Sequence, residues 1–180
     1  KSDVAVLLSV FFLTVLVDLT VAIEIGMALS AFLFMRNMIK FSNVSLLTNQ
    51  LNEDEEDADK DALSYYSIPQ EVEVFEIKGP LFFGAAYKFK DAIRFIEKKQ
   101  NILIIRMRHV PIIDATGIHM LKEFYKDAKA KNTRIILSEV NSEQVLTELK
   151  KARLTFAIGK ANISSSFEKA LERARALLAG

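Results

Sequence analysis

The stretch ILIIRMRHVPIIDATGIHML, residues 102–121, decides how the rest of the chain is read. It opens on four consecutive apolar residues, Ile102 to Ile105, a run without alternation that suits a strand covered on both faces, as in a parallel sheet. A polar, proline-containing passage, Arg106 to Pro111, separates this run from Ile112 and Ile113. The turn Asp114-Ala115-Thr116-Gly117 follows. Beyond it Ile118, Leu121, Phe124, Tyr125 and Ala128 recur at spacings of three and four, one face of an amphipathic helix. A polar turn between a buried strand and a helix N-terminus is where an open α/β sheet places its working residues.

Working outward, the C-terminal side continues the alternation. Arg134 to Ser138 forms another strand, and Asn141-Ser142 opens a helix with Val145, Leu149 and Ala152 inward. A short strand near Asn162-Ile163 leads to Ser165-Ser166-Phe167-Glu168, a capping-box pattern that starts a helix through Phe167, Ala170, Leu171, Ala174 and Leu178. On the N-terminal side, Val72, Val74 and Ile77 are spaced by glutamates and predict a strand with one wet face. Gly79-Pro80 is a turn signal, and Leu81 to Phe83 reads as the returning strand of a hairpin. A helix stripe through Ala85, Phe89, Ala92, Ile93 and Ile96 comes next. A hairpin followed by strand-helix alternation predicts an α/β fold with a mixed, mostly parallel sheet.

The first forty residues are of another kind. Val4 to Val17 has only Ser9 and Thr14 as mildly polar positions, and Val21 to Met35 only Glu24, Gly26 and Ser30. Neither run reaches the roughly 20 residues that cross a bilayer alone. Two short apolar segments divided by Asp18-Leu19-Thr20 match the discontinuous helices of secondary transporters. A pair of buried core helices is the bland alternative, but Val4 to Met35 has no polar face to show to water. Arg36 and Lys40 form a cationic stop that puts the following chain on the cytoplasmic side. Acids at membrane depth are costly, so Asp18 and Glu24 are singled out as intramembrane acidic residues. Asp18 is better read as the cap of the second helix, and Glu24, six positions on, faces elsewhere.

Between these halves, Glu53 to Asp61 carries seven acids against Lys60, a local charge of −6; the whole chain is +1, so the remainder is +7. That surplus is dispersed and makes no basic stripe, which leaves nucleic-acid binding without support. The acidic run reads as a solvated linker, with a docking surface for basic cytoplasmic proteins as the sharper option. There is no cysteine and there are two histidines, so thiolate chemistry is excluded and a zinc site is disfavoured. No phosphate-binding glycine loop occurs. Thr116 and His119 stand three apart, yet no oxyanion hole or orienting acid accompanies them, so no catalytic residue and no cofactor is assigned. The chain begins at Lys1 in mid-pattern and reads as part of a longer protein.

The passage Ile112-Ile113-Asp114-Ala115-Thr116-Gly117-Ile118 after a hydrophobic strand resembles the signature turn of STAS domains. These domains occur in anti-sigma-factor antagonists and in the cytoplasmic tails of SulP-type anion transporters. The stretch Leu13 to Gly26, LTVLVDLTVAIEIG, resembles the end of the SulP membrane domain. The resemblance implies the last transmembrane helices in residues 1–40, an acidic linker in 41–68 and a cytoplasmic STAS domain in 69–180. It also implies a non-enzymatic part in secondary active transport of sulfate or a related anion, which binds in an earlier part of the membrane domain. Membrane lipid, a homodimer partner and a cytoplasmic regulatory protein are the implied contacts, at the plasma or inner membrane. In antagonist members a serine of the signature turn is phosphorylated. By position that acceptor corresponds to Thr116, with Asp114 as the turn's aspartate, Gly117 beside it, and Ala115 in place of a further serine. The turn is therefore also a candidate anion-binding site, and a partner-switching protein is the alternative reading.

Overall fold

A computed structural model describes residues 2–41, 43–46, 66–82 and 101–179. The chain divides into two compact units, Lys1–Phe41 and Ser42–Gly180.

The first unit is a helical hairpin. Helix α1 (Ser2–Leu16) and helix α2 (Leu19–Phe41) pack on each other across the break at Val17-Asp18. Close approach is set by small residues. Ala22 is fully buried, and a Cβ on Gly26 would lie 2.6 Å from Val10 Cγ2. The Asp18 carboxylate accepts the Thr20 N–H at 2.7 Å, as the sequence led one to expect of a cap. Ser9 and Thr14 each donate to the carbonyl four residues back, at 2.8 Å, which removes their hydroxyls from the apolar surface. The sequence-based length of the second segment is corrected. Helix α2 starts at Leu19 rather than Val21, and its apolar stretch Leu19–Asn37 covers 19 residues. At 1.5 Å per residue this is about 28 Å, long and apolar enough by length and composition to cross a bilayer core of about 30 Å. The apolar part of α1, Val4–Leu16, is shorter.

The second unit is a five-stranded mixed sheet in the order β1-β2-β3-β4-β5. Strands β2 (Val72–Lys78), β3 (Ile102–His109), β4 (Arg134–Ser138) and β5 (Ile163–Ser164) run parallel. Strand β1 (Asn43–Leu46) pairs antiparallel with β2, Asn43 opposite Lys78 and Leu46 opposite Phe75. The antiparallel partner of β2 is thus not the Leu81–Phe83 segment that the Gly79-Pro80 signal indicated. Leu81 makes a single parallel bridge to Ile113, and the strand comes from residues read as linker. Phe83 and the helix expected over 85–98 lie outside the described residues.

Helices cover both faces. Helix α3 (Ala115–Ala130) and helices α4 (Glu143–Lys151) and α5 (Leu154–Ile158) seal one cluster, with Phe75, Ile77, Leu103, Ile105, Leu121, Phe124, Val145, Leu149, Leu154 and Ile158 buried in it. Helix α6 (Phe167–Ala179) seals the other, made of Val72, Val74, Ile102, Ile104, Ile136, Phe167, Ala170, Leu171 and Ala174. Each central strand therefore feeds both clusters, the physical reason why the Ile102–Ile105 run shows no alternation. The wet face expected for β2 is a correction: Glu73 and Glu76 are both buried. The capping box is also shifted by one residue. Ser166 accepts the Lys169 N–H at 3.4 Å, while Glu168 takes the Tyr66 hydroxyl at 3.4 Å.

Candidate functional site

The turn Asp114–Gly117 sits where β3 hands over to α3. Asp114 is extended (φ −102, ψ −178), and its carboxylate accepts the Gly117 N–H at 2.8 Å, so it is the N-cap of α3. One of the free amides that an anion at this turn would use is thereby occupied by the chain's own carboxylate. Thr116 lies exposed in the first turn of α3 and His119 at the start of the second, while Ile118 is buried in the core.

Gly117 is required by its neighbours rather than by its dihedral angles. A Cβ there would stand 2.3 Å from the Leu81 carbonyl oxygen and 2.8 Å from Ile113 Cγ1. The helix N-terminus is thus pressed against the Leu81 backbone. Leu81 itself donates to Ile112 O at 2.9 Å and accepts from Asp114 N at 3.3 Å. Gly79, at φ 89, makes the bend that brings this segment in, and its N–H donates to His109 O at 2.9 Å.

Helix α4 clamps the same turn from the other side. Gln144 Oε1 accepts the Ile113 N–H at 2.9 Å and Nε2 donates to Ile113 O at 2.8 Å, a two-pronged amide contact. The Ser142 hydroxyl donates to Pro111 O at 2.7 Å while capping α4 at Val145 N. The sequence marked Ser142 as a helix opener but not as a clamp, and Gln144 carried no signal at all.

A second polar layer lies on the α6 side of the sheet, across the ends of the strands. Arg106, 2% exposed, makes a forked contact with Glu139 at 2.6 and 3.1 Å, and its guanidinium stacks 4.7 Å from the centre of the Phe167 ring. Glu76 accepts from Arg108 at 2.8 Å and lies 3.4 Å from Lys78. The Ser138 hydroxyl is buried there without a hydrogen bond; so is Glu73 Oε2, which by strand alternation lies on the opposite face of the sheet, with Phe75 and Ile77. Burial pushes the Glu73 carboxyl above its ordinary range. Arg106 and Arg108, read from sequence as beyond the strand, belong to it: β3 runs on to His109.

In the hairpin, Asp18 caps α2 and Glu24 is exposed on its surface; the Asp114 turn belongs to the other unit. Among the described residues no three acidic or histidine side chains are grouped to hold a metal ion.

The turn is thus a strand-to-helix crossing with a capped Asp, an exposed hydroxyl and a glycine under a neighbouring carbonyl. The STAS domain family profile matches residues 66–170. A crystal structure of a sulfate transporter family protein from Wolinella succinogenes is 38% identical, with a TM-score of 0.63 over 68% of this chain and 99% of that one. The SulP transporter STAS domain from Vibrio cholerae is 32% identical, with a TM-score of 0.55 over 63% of this chain and 88% of that one. The chain belongs to the STAS domain family, in its SulP sulfate-transporter branch. Among curated proteins, YvdB of Bacillus subtilis (strain 168), described as a candidate sulfate transporter, is 28% identical over 161 residues, 89% of this chain. The chain spans 28% of the length of that relative.

Proposed function

We propose that this chain is the C-terminal part of a secondary active anion carrier of sulfate type. In this reading residues 1–40 close its membrane domain, 41–68 connect, and 69–180 form a STAS domain in the cytoplasm. One observation carries the proposal: the similarity to YvdB covers 161 residues, 89% of the chain, and so extends well beyond the residues 66–170 of the STAS match. The hairpin's composition supports a bilayer setting, since Phe11, Leu16 and Phe32 are more than half exposed, as are Leu7, Met27 and Phe34. Membrane lipid is then its solvent, at the plasma or inner membrane, and the inorganic anion binds in the part of the carrier that precedes it.

The STAS domain has a regulatory, dimer-contact or trafficking role and no catalytic one. The Asp114–Gly117 turn has a cap and a clamp but no set of groups that could turn over a substrate. Thr116 is the exposed hydroxyl at this turn, the acceptor for a regulatory phosphate if a kinase acts on the carrier. The test is anion uptake into proteoliposomes by the full-length protein and by a version lacking residues 69–180. Loss of rate, assembly or membrane abundance supports the regulatory role. Unchanged behaviour in all three removes it, while absence of uptake by both removes the carrier assignment.

A further inference from the structure

Helix α5 forms a small knuckle whose chemistry the anion-carrier reading leaves unused. It has five residues, bracketed by two left-handed positions, Arg153 at φ 59 and Gly159 at φ 92. Arg153 is not glycine, so this conformation costs on the order of 1 kcal/mol and is sustained by its surroundings. Leu154 and Ile158, four apart, are buried in the core. Tyr125 donates its hydroxyl to Ala157 O, and Asn162 Nδ2 donates to Ile158 O at 2.8 Å while accepting from Arg173 Nε at 2.9 Å. The knuckle is nailed down from three sides. At its tip, two residues from each buried anchor and so on the opposite face, Phe156 is 87% exposed.

Along the chain that ring is flanked by cations. Lys150, Lys151, Arg153 and Lys160 are all exposed, and no acidic residue occurs between Glu148 and Glu168. Glu148 engages Lys151 at 2.7 Å. Aromatic and arginine side chains are the groups most enriched where proteins anchor one another, and a rigid aromatic loses little entropy on docking.

We propose that the Phe156 knuckle is a docking site for an acidic segment of another protein, one that presents an apolar side chain or pocket to the phenyl ring. Charge complementarity selects this occupant. A symmetric contact between two copies through the knuckle would set four cations against four.

The experiment titrates a fluorescent peptide, in which Leu alternates with pairs of Glu, against the whole chain held in zwitterionic nanodiscs and reads anisotropy. Saturable binding is expected, weakened about tenfold by Phe156→Ala and by Lys150→Gln with Lys160→Gln. It should weaken further between about 0.05 and about 0.5 M salt and vanish for a peptide with Gln in place of Glu. The charge-matched pair Lys129→Gln with Lys131→Gln should leave it unchanged. Phe156 is outside the core, so unchanged circular dichroism confirms that each variant is folded. The proposal is overturned if the peptide does not bind, or if the control pair weakens it as much as the knuckle variants. It is also overturned if Phe156→Ala changes oligomeric state or the binding of anionic vesicles while sparing the peptide.

Discussion

The two units of this chain solve opposite burial problems with similar residues. In the hairpin, Ala22 and Gly26 are the buried positions of α2 among its described side chains, and its large side chains are mostly exposed. In the α/β unit the large apolar side chains point inward; among the described residues only Ile112 and Phe156 are large, apolar and exposed there. The hairpin is held by close backbone approach at small residues, the pattern that serves when the surrounding medium is as apolar as the side chains. The sheet is held by interdigitated large side chains and a few buried ion pairs such as Arg106 with Glu139, the pattern that serves in water. One chain thus carries two packing rules, and composition alone distinguishes them poorly because both halves are rich in Val, Ile, Leu and Phe.

This contrast can be broken or sharpened by substitution. All four tyrosines lie after residue 41, so the near-ultraviolet tyrosine signal reports the α/β unit by itself during urea unfolding of the whole chain in detergent. The largest effect is expected from Glu139→Ala, which leaves the Arg106 guanidinium buried and unpaired and should cost about 3–5 kcal/mol. A cost near that of an exposed ion pair, below about 1 kcal/mol, would show that water reaches Arg106. Gly117→Ala should follow, at about 1–3 kcal/mol, because the new methyl meets the Leu81 backbone rather than a movable side chain. Asp114→Ala should cost about 1 kcal/mol through loss of the α3 cap.

Gly26→Val tests the independence of the units. It should separate α1 from α2, seen as accelerated amide exchange within residues 2–41, while shifting the tyrosine transition by less than about 0.5 kcal/mol. The smallest effect concerns Glu73. Its carboxyl is raised by burial, so its contribution is fully favourable below the unfolded-state value and turns into a penalty as pH rises through the folded-state value. Glu73→Gln should therefore stabilise slightly at neutral pH and flatten the stability profile above the ordinary glutamate range. A loss of stability on this substitution would mean that the charged form is favoured in the fold.

Much of the architecture was legible because it rests on local periodicity. The unrelieved Ile102–Ile105 run, the α3 stripe and the α6 stripe each encode which faces are covered. What escaped is what depends on partners distant in sequence. Strand β1 is four residues, NVSL, inside a polar stretch, and it becomes a strand only by pairing with β2. Arg106 looked like the end of β3 because an arginine is rarely interior; Glu139, 33 residues on, neutralises it and Phe167 covers it. At the candidate site, the placing of the Asp114–Gly117 turn between strand and helix followed from residue types alone. The Gln144 clamp did not, since an exposed glutamine in a helix has no pattern that announces a carbonyl and an amide 31 residues earlier.

The contacts of Tyr66 have one more consequence. Its ring meets Phe167 edge-on at 5.1 Å, its hydroxyl reaches Glu168, and the next residue, Ser67, gives its carbonyl to Arg175 at 2.8 Å. The stretch that leads into β2 is therefore bolted to the final helix. A tug on Tyr66 would reach α6 and, through Phe167, the guanidinium beneath it. The entry to the second strand and the last helix are thus one mechanical piece.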